Sequence, residues 1–232
     1  MISRKRTAIL ISGRGSNMVR LLDAAEDRDF PAEIVAVISD KADARGLGIA
    51  MARGIATHVV KRSDFADKAA HDAAIDALLT SMQVEIVCLA GYMRLLTAQF
   101  TEKWRGRMIN IHPSLLPLFK GLDTHRRALE AGVRLHGATV HFVTPETDEG
   151  PIIAQAAVPV LEGDTEESLA ARVLKAEHEI YPLALRLLAE GKARMSDGRT
   201  VLSASADVDG MLISPSRAQD QPDLEQLARF TP

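Results

Sequence analysis

Through the first half of the chain, short apolar runs alternate with stretches in which apolar residues recur every three or four positions. Thr7 to Ser12, Ile34 to Ser39, Thr57 to Val60, Val84 to Ala90 and Met108 to His112 are the apolar runs, and they predict strands. Met18 to Arg28, Ala44 to Arg53, Phe65 to Met82 and Ala98 to Trp104 lie between them, with apolar residues at helical spacing and polar faces between. Strands that are apolar throughout have no face left for water. Separated by helices, they predict a mostly parallel sheet covered on both sides, a doubly wound α/β fold whose ligands bind beyond the carboxyl ends of the strands.

The pattern changes after Pro117. A helix is expected at about Thr124 to Ala131, then two strands around a polar loop in HGATVHFVTPETDEGPIIAQAAVPV, then a long helix over Glu166 to Glu190. Thr165 could cap that helix, with Ser168 standing where a capping box prefers an acid. Beyond Gly191 the residues become small, polar and turn-rich. The expected division is a main domain over residues 1–195 and a peripheral, partly mobile tail over 196–232.

At 232 residues and 47% hydrophobic, the chain can bury a substantial core. A formal net charge of −3 and no dense basic block argue against a polynucleotide partner. The apolar runs are too short to span a bilayer, and the start MISRKRTAILISG lacks a small-residue cleavage site, so the expected location is cytoplasmic, away from membranes. The single cysteine, Cys88, sits inside VEIVCLAG and reads as a buried structural thiol. No intrachain disulfide is possible, and Cys and His lack metal-site spacing.

Chemistry concentrates in RMINIHPSLLP, Arg107 to Pro117. Asn110 and His112 stand two apart at the end of a predicted strand, so their side chains share one face. An amide and an imidazole aimed at one point can stabilise an oxyanion and move a proton, the two services acyl transfer requires. A strand ending in polar residues before a proline turn would look the same, so the rest of the chain must decide. A proton-carrying histidine needs its tautomer set, and a nearby carboxylate does this by hydrogen bonding. TPETDEG offers Glu146, Asp148 and Glu149, and spacing does not choose among them. Of the other histidines His125, His136, His141 and His178, only His141, in the alternating TVHFV, is a candidate to face a cleft.

AILISGRGSNMVRLL reads as a strand, a glycine turn and a helix start, which aims unpaired backbone N–H groups and a positive helix end at an anion. Gly15, Ser16 and Asn17 are the expected contacts. Asp40, closing the second strand, stands where a dinucleotide fold places its ribose acid. The fingerprint GxGxxG, however, needs glycine where this chain has Met18, and no Walker GK[ST] follows, so a monophosphate fits better than a nicotinamide cofactor.

The segments ISGRGSN, KADARGL, GIATH, LAGYMRLL, NIHPSLLP, HGATVHFVTPETDEGPII and AEHEIYP, in that order across about residues 6 to 195, resemble the phosphoribosylglycinamide formyltransferase family. The resemblance implies a formyltransferase-like Rossmann variant in purine biosynthesis. It would transfer formyl from 10-formyltetrahydrofolate, a co-substrate, to the amine of glycinamide ribonucleotide, with no resident cofactor and no metal. It implies Asn110, His112 and Asp148 as the catalytic trio, which settles the choice that spacing left open. It also implies a ribonucleotide site at Gly15, Ser16 and Asn17 together with Leu174, Lys175, Ala176 and Glu177. The folate pocket would comprise Lys68, Met93, Arg94, Leu95, Leu96, Asn110, Thr144, Pro145, Glu146, Thr147 and Asp148. Lys68 stands where some relatives carry arginine, which keeps a cation near the folate and loses the bidentate fork. The expected partners are these small molecules, with the protein a monomer or homodimer.

The hydrolase and tRNA formyltransferase that share this folate module are the rival enzymes. The first would not need the GSN loop, and the second would carry a basic C-terminal domain, whereas this tail is short and not basic. A non-catalytic sensor of folate or purine precursor would not need Asn110, His112 and Asp148 together.

Overall fold

The computed structural model of the chain describes residues 4–203 and Ser214. Five strands alternate with helices through the first half: β1 (Lys5–Ile11), α1 (Ser16–Glu26), β2 (Ala32–Ser39), α2 (Arg45–Ala52), β3 (Ala56–Val59), α3 (Lys68–Ser81), β4 (Ile86–Leu89), α4 (Ala98–Lys103) and β5 (Met108–His112). The second half adds α5 (Thr124–Glu130), β6 (Leu135–Phe142), β7 (Ile152–Pro159) and α6 (Glu166–Ala189). Boundaries follow caps rather than hydrophobicity. The apolar periodicity extends back to Phe65, but the Asp67 carboxylate accepts from the Ala70 N–H at 2.8 Å and starts α3 at Lys68. At α6 the Thr165 hydroxyl and Ser168 form a complete capping box, with serine doing the work of the usual acid.

The seven strands form one sheet in the order β3-β2-β1-β4-β5-β6-β7. All pairs from β3 to β5 are parallel, and β6 and β7 join antiparallel. The chain winds outward from β1 in both directions, so the doubly wound, mostly parallel reading holds. Both faces are dry at the centre of the sheet, where alternate residues of β1 enter different cores. Ile9 and Ile11 pack with Leu21, Leu47, Val173 and Tyr181 on the face of α1, α2 and α6; Ala8 and Leu10 pack with Ile75, Leu79, Phe100 and Trp104 on the face of α3 and α4. Cys88 is fully buried in the first of these, and burial pushes its thiol pKa well up, as a structural thiol requires.

One element differs from expectation. The segment after Gly191 forms a hairpin, β8 (Ala193–Ser196) and β9 (Arg199–Leu202), so the residue-195 boundary falls within its first strand. Asp197 and Gly198 take φ of 49° and 71°, the two left-handed positions of a tight hairpin turn. Apart from the hairpin, Ser203 and Ser214, the expected tail lies outside the described residues. Among the described residues, no helix is long and apolar enough to cross a membrane.

Candidate active site

Because β1, β4 and β5 are parallel, their carboxyl ends share one edge, and the order of winding reverses between β1 and β4. A crevice must open there. Two hydrogen bonds cross its mouth: the Ser12 N–H donates to the Gly91 carbonyl at 3.1 Å, and the Met93 N–H to the Ser12 hydroxyl at 2.9 Å.

On the β1 side, Gly15 takes φ 76° and delivers the chain into α1, whose first turn has no side-chain cap. Its first N–H groups remain available to an anion. Met18 is fully buried and its side chain folds back toward Gly15, where an added Cβ would lie 3.1 Å both from Met18 Cε and from Gly46 Cα. The loop is therefore walled by α2 and by Met18 itself, the residue that breaks the dinucleotide fingerprint. Asn17 turns inward and its Nδ2 donates to Glu177 on α6 at 2.5 Å, which brings the glycine loop and the Leu174–Glu177 segment together. Burial raises the Glu177 pKa, and the Asn17 amide partly offsets this. Lys175 is exposed, and the Asn17 Oδ1 is buried with no hydrogen-bond partner among the described residues. Asp40 is taken up differently from a ribose acid: its buried carboxylate accepts from Arg94 Nε at 2.7 Å.

On the β5 side lies a cleft of about 230 Å³. Of the residues expected at the folate, Lys68, Arg94, Leu95, Leu96, Asn110, Thr144, Pro145, Glu146, Thr147 and Asp148 line it. Met93 does not and is largely exposed. Lys68 Nζ donates to the Leu96 carbonyl at 2.9 Å, so this cation closes the rim of the cleft. Tyr92, His141 and Val143 are further lining residues. The strand pattern already marked His141 as a cleft candidate; nothing local marks the other two.

Asn110 and His112 share the face of β5 opposite Ile109 and Ile111, as their spacing requires. Asp148, with φ 56°, turns its carboxylate back onto this pair. Its Oδ2 lies 3.4 Å from His112 Nδ1 and accepts from the Gly121 N–H at 2.9 Å, while Oδ1 lies 3.8 Å from His141 Nε2. Glu149 instead pairs with Lys120 at the surface, and Glu146 is exposed, so geometry singles out Asp148 among the three acids. The His112 Nε2 lies 3.0 Å from the Phe119 carbonyl, which can only accept, so this nitrogen carries a hydrogen. His112 is almost wholly buried beneath the 119–121 turn and does not itself line the cleft.

The orientation of Asn110 follows from its cross-strand neighbour. His141 pairs with Asn110 in the β5–β6 ladder, and its Nδ1 lies 2.8 Å from the Phe142 carbonyl. That carbonyl fixes the hydrogen on Nδ1 and leaves Nε2 as an acceptor, 3.3 Å from Asn110 Nδ2. Burial lowers the His141 pKa, which keeps it a neutral acceptor. The amide nitrogen of Asn110 is thereby oriented, with its second hydrogen free to serve the cleft.

Among the described residues, no group of three or more His, Cys, Asp or Glu could hold a metal ion. Fold and cleft together define a doubly wound α/β protein with an anion loop and an amide–imidazole–carboxylate cluster along one sheet edge. The formyl transferase family profile matches residues 5–185, and the chain belongs to that family. It is 45% identical over 202 residues to the phosphoribosylglycinamide formyltransferase of Haemophilus influenzae, covering 87% of this chain and 95% of that protein. It is 48% identical over 204 residues to the bovine trifunctional purine biosynthetic protein adenosine-3, covering 88% of this chain and 20% of that protein, so it spans about a fifth of such relatives. The solved phosphoribosylglycinamide formyltransferase of Brucella melitensis is 64% identical with a TM-score of 0.78, covering 81% of this chain and 96% of that one.

Proposed function

We propose that this chain is a phosphoribosylglycinamide formyltransferase, which moves the formyl group of 10-formyltetrahydrofolate to the amine of glycinamide ribonucleotide. The observation that carries the reading is the convergence of Asn110, His112 and Asp148 at the carboxyl end of β5, beside a cleft whose rim carries Lys68 and Arg94. The cleft would take the folate. The α1 start would take the ribonucleotide phosphate, with Glu177 and the Asn17 Oδ1 offering acceptors to its hydroxyl or amine hydrogens.

The amine attacks the formyl carbon to form a new C–N bond, and negative charge develops on the formyl oxygen. The Asn110 Nδ2–H is the group oriented to meet it. Collapse breaks the bond from the formyl carbon to N10 of the folate; the amine nitrogen must lose a proton and N10 must gain one. His112 Nδ1 faces the Asp148 carboxylate, which would hold a proton on that nitrogen during the exchange. For His112 to reach the reacting atoms, its Nε2 must leave the Phe119 carbonyl, so the 119–121 turn must shift when substrates bind. Holding two substrates in one crevice supplies much of the remaining rate.

The direct test follows tetrahydrofolate formation from 10-formyltetrahydrofolate, with and without glycinamide ribonucleotide. Product only in the presence of the ribonucleotide is expected. Equal release without it would make the protein a hydrolase and overturn the reading.

A further inference from the structure

Asn110 is held from above by His141; its backbone is held from below by a residue outside the cleft. Tyr181 lies on α6 with its ring fully buried under β4 and β5. Its hydroxyl donates to the Leu89 carbonyl at 2.8 Å and lies 3.3 Å from the Ile109 carbonyl. These two oxygens belong to neighbouring strands at the place where they part. The β4–β5 ladder runs Val87 to Met108, Cys88 to Ile109 and Leu89 to Asn110, and Leu89 is the last residue of β4. Beyond it the chain turns away, with the Ala90 N–H donating to Leu10 on β1.

The Ile109 carbonyl is half of the peptide bond whose other half is the Asn110 N–H. The hydroxyl's one hydrogen, given chiefly to Leu89 and shared with this oxygen, adds to the ladder pairing that holds the plane of that peptide, and with it the direction in which Asn110 leaves the strand. Tyr181 also lies one turn after Glu177 on α6, so one helix face touches both the Asn17 loop and the floor beneath Asn110.

We propose that Tyr181 is a positioning residue for formyl transfer: its hydroxyl, shared between the Leu89 and Ile109 carbonyls, sets the peptide that aims the Asn110 amide at the formyl oxygen. This rests on the transferase reading above. The residue touches neither substrate and acts only through Asn110.

The test is Tyr181→Phe, which keeps the ring packing and deletes the hydroxyl, measured alone and in an Asn110→Ala background. The kcat should fall about tenfold in the parent, the worth of one buried hydrogen bond. The KM for the ribonucleotide should stay within about twofold. In the Asn110→Ala background the same change should cost less than about twofold, because the group through which it acts is already gone. Equal losses in both backgrounds would reduce Tyr181 to a structural role and overturn the proposal.

A second measurement needs no turnover. The chain has two asparagines, Asn17 and Asn110, so selective 15N labelling of asparagine side chains gives two amide pairs, each assignable by its loss on substitution. In Tyr181→Phe the Asn110 pair should move toward the shifts of a solvated asparagine while the Asn17 pair stays in place. An unmoved Asn110 pair refutes the positioning role. Absence of ribonucleotide-dependent transfer in the parent would instead refute the activity, and the resonances would still decide what Tyr181 does.

Discussion

Replacing Gly150 by alanine should disable the site while leaving most of the fold standing. An added Cβ would fall inside the contact radius of the Phe142 carbonyl oxygen, 2.8 Å from its carbonyl carbon and 3.3 Å from His141 Nδ1. No flexible side-chain end is available to yield, because the Phe142 carbonyl holds the His141 tautomer at 2.8 Å and the Phe142 N–H is bonded to the Pro151 carbonyl at 2.9 Å. Relief to an ordinary van der Waals distance of 3.4 Å requires the backbone at 150 and the Phe142 carbonyl to separate by about 1.7 Å, with Asp148 two residues away on the same loop. A misplacement of about 1 Å already costs about 100-fold in rate, so the loss should be at least that large. Overpacking should cost about 1–3 kcal/mol of stability, or roughly 2–4 °C in Tm for each kcal/mol in a protein of this size. The assay is steady-state formyl transfer together with thermal unfolding. Gly48→Ala is the control, since none of the described residues lies within 4 Å of its added Cβ on α2; it should keep full activity and gain up to about 1 kcal/mol of helix propensity. Gly150→Ala with activity within about twofold of the parent would refute the claim that this contact holds Asp148 in place.

Two further outcomes follow from buried groups. His136 is almost fully buried, neither ring nitrogen has a hydrogen-bond partner among the described residues, and burial lowers its pKa to about 4. A depressed histidine leaves the unfolded chain binding the extra proton. Stability should therefore be intact above about pH 6.5 and fall by up to about 3 kcal/mol as pH drops toward 4. His136→Phe should flatten that part of the Tm-against-pH curve, and an unchanged curve would rule His136 out as its source. Glu177→Gln replaces the charged acceptor of Asn17 by a neutral one, and should raise the KM for glycinamide ribonucleotide about tenfold while leaving the folate KM alone. A change confined to the folate KM would place Glu177 in the wrong half of the site.

The fold was legible because the central strands of the parallel sheet are apolar on both faces. Ala8, Ile9, Leu10 and Ile11 leave no polar position that a half-exposed strand would need. Asn110 and His112 were legible for the opposite reason: they are polar residues two apart in such a strand, next to a proline. Asp148 was legible only through the family resemblance, since by spacing three acids within four residues look alike until the turn at φ 56° aims one of them inward. The inward face of Glu177 depends on docking α6 against α1, and the tautomer of His141 on the Phe142 carbonyl; neither is a local property of the chain. The hairpin after Gly191 was missed despite a local signal. Asp197-Gly198 is a strong two-residue turn dipeptide, but its flanks are too short and polar to read as strands.

The bond between Asn17 and Glu177 joins residues 160 positions apart. During synthesis from the amino terminus, the glycine loop is made 160 residues before its partner emerges. Early parts of the sheet can form in that interval, but the inward pose of Asn17 cannot, and neither can the support that Tyr181 gives the end of β4. A chain stopped before Glu166 would keep Asn110, His112 and Asp148 in its sequence and still lack the helix that holds the two sides of the crevice in register. The two sides of the crevice are therefore joined late, with the docking of the single helix α6.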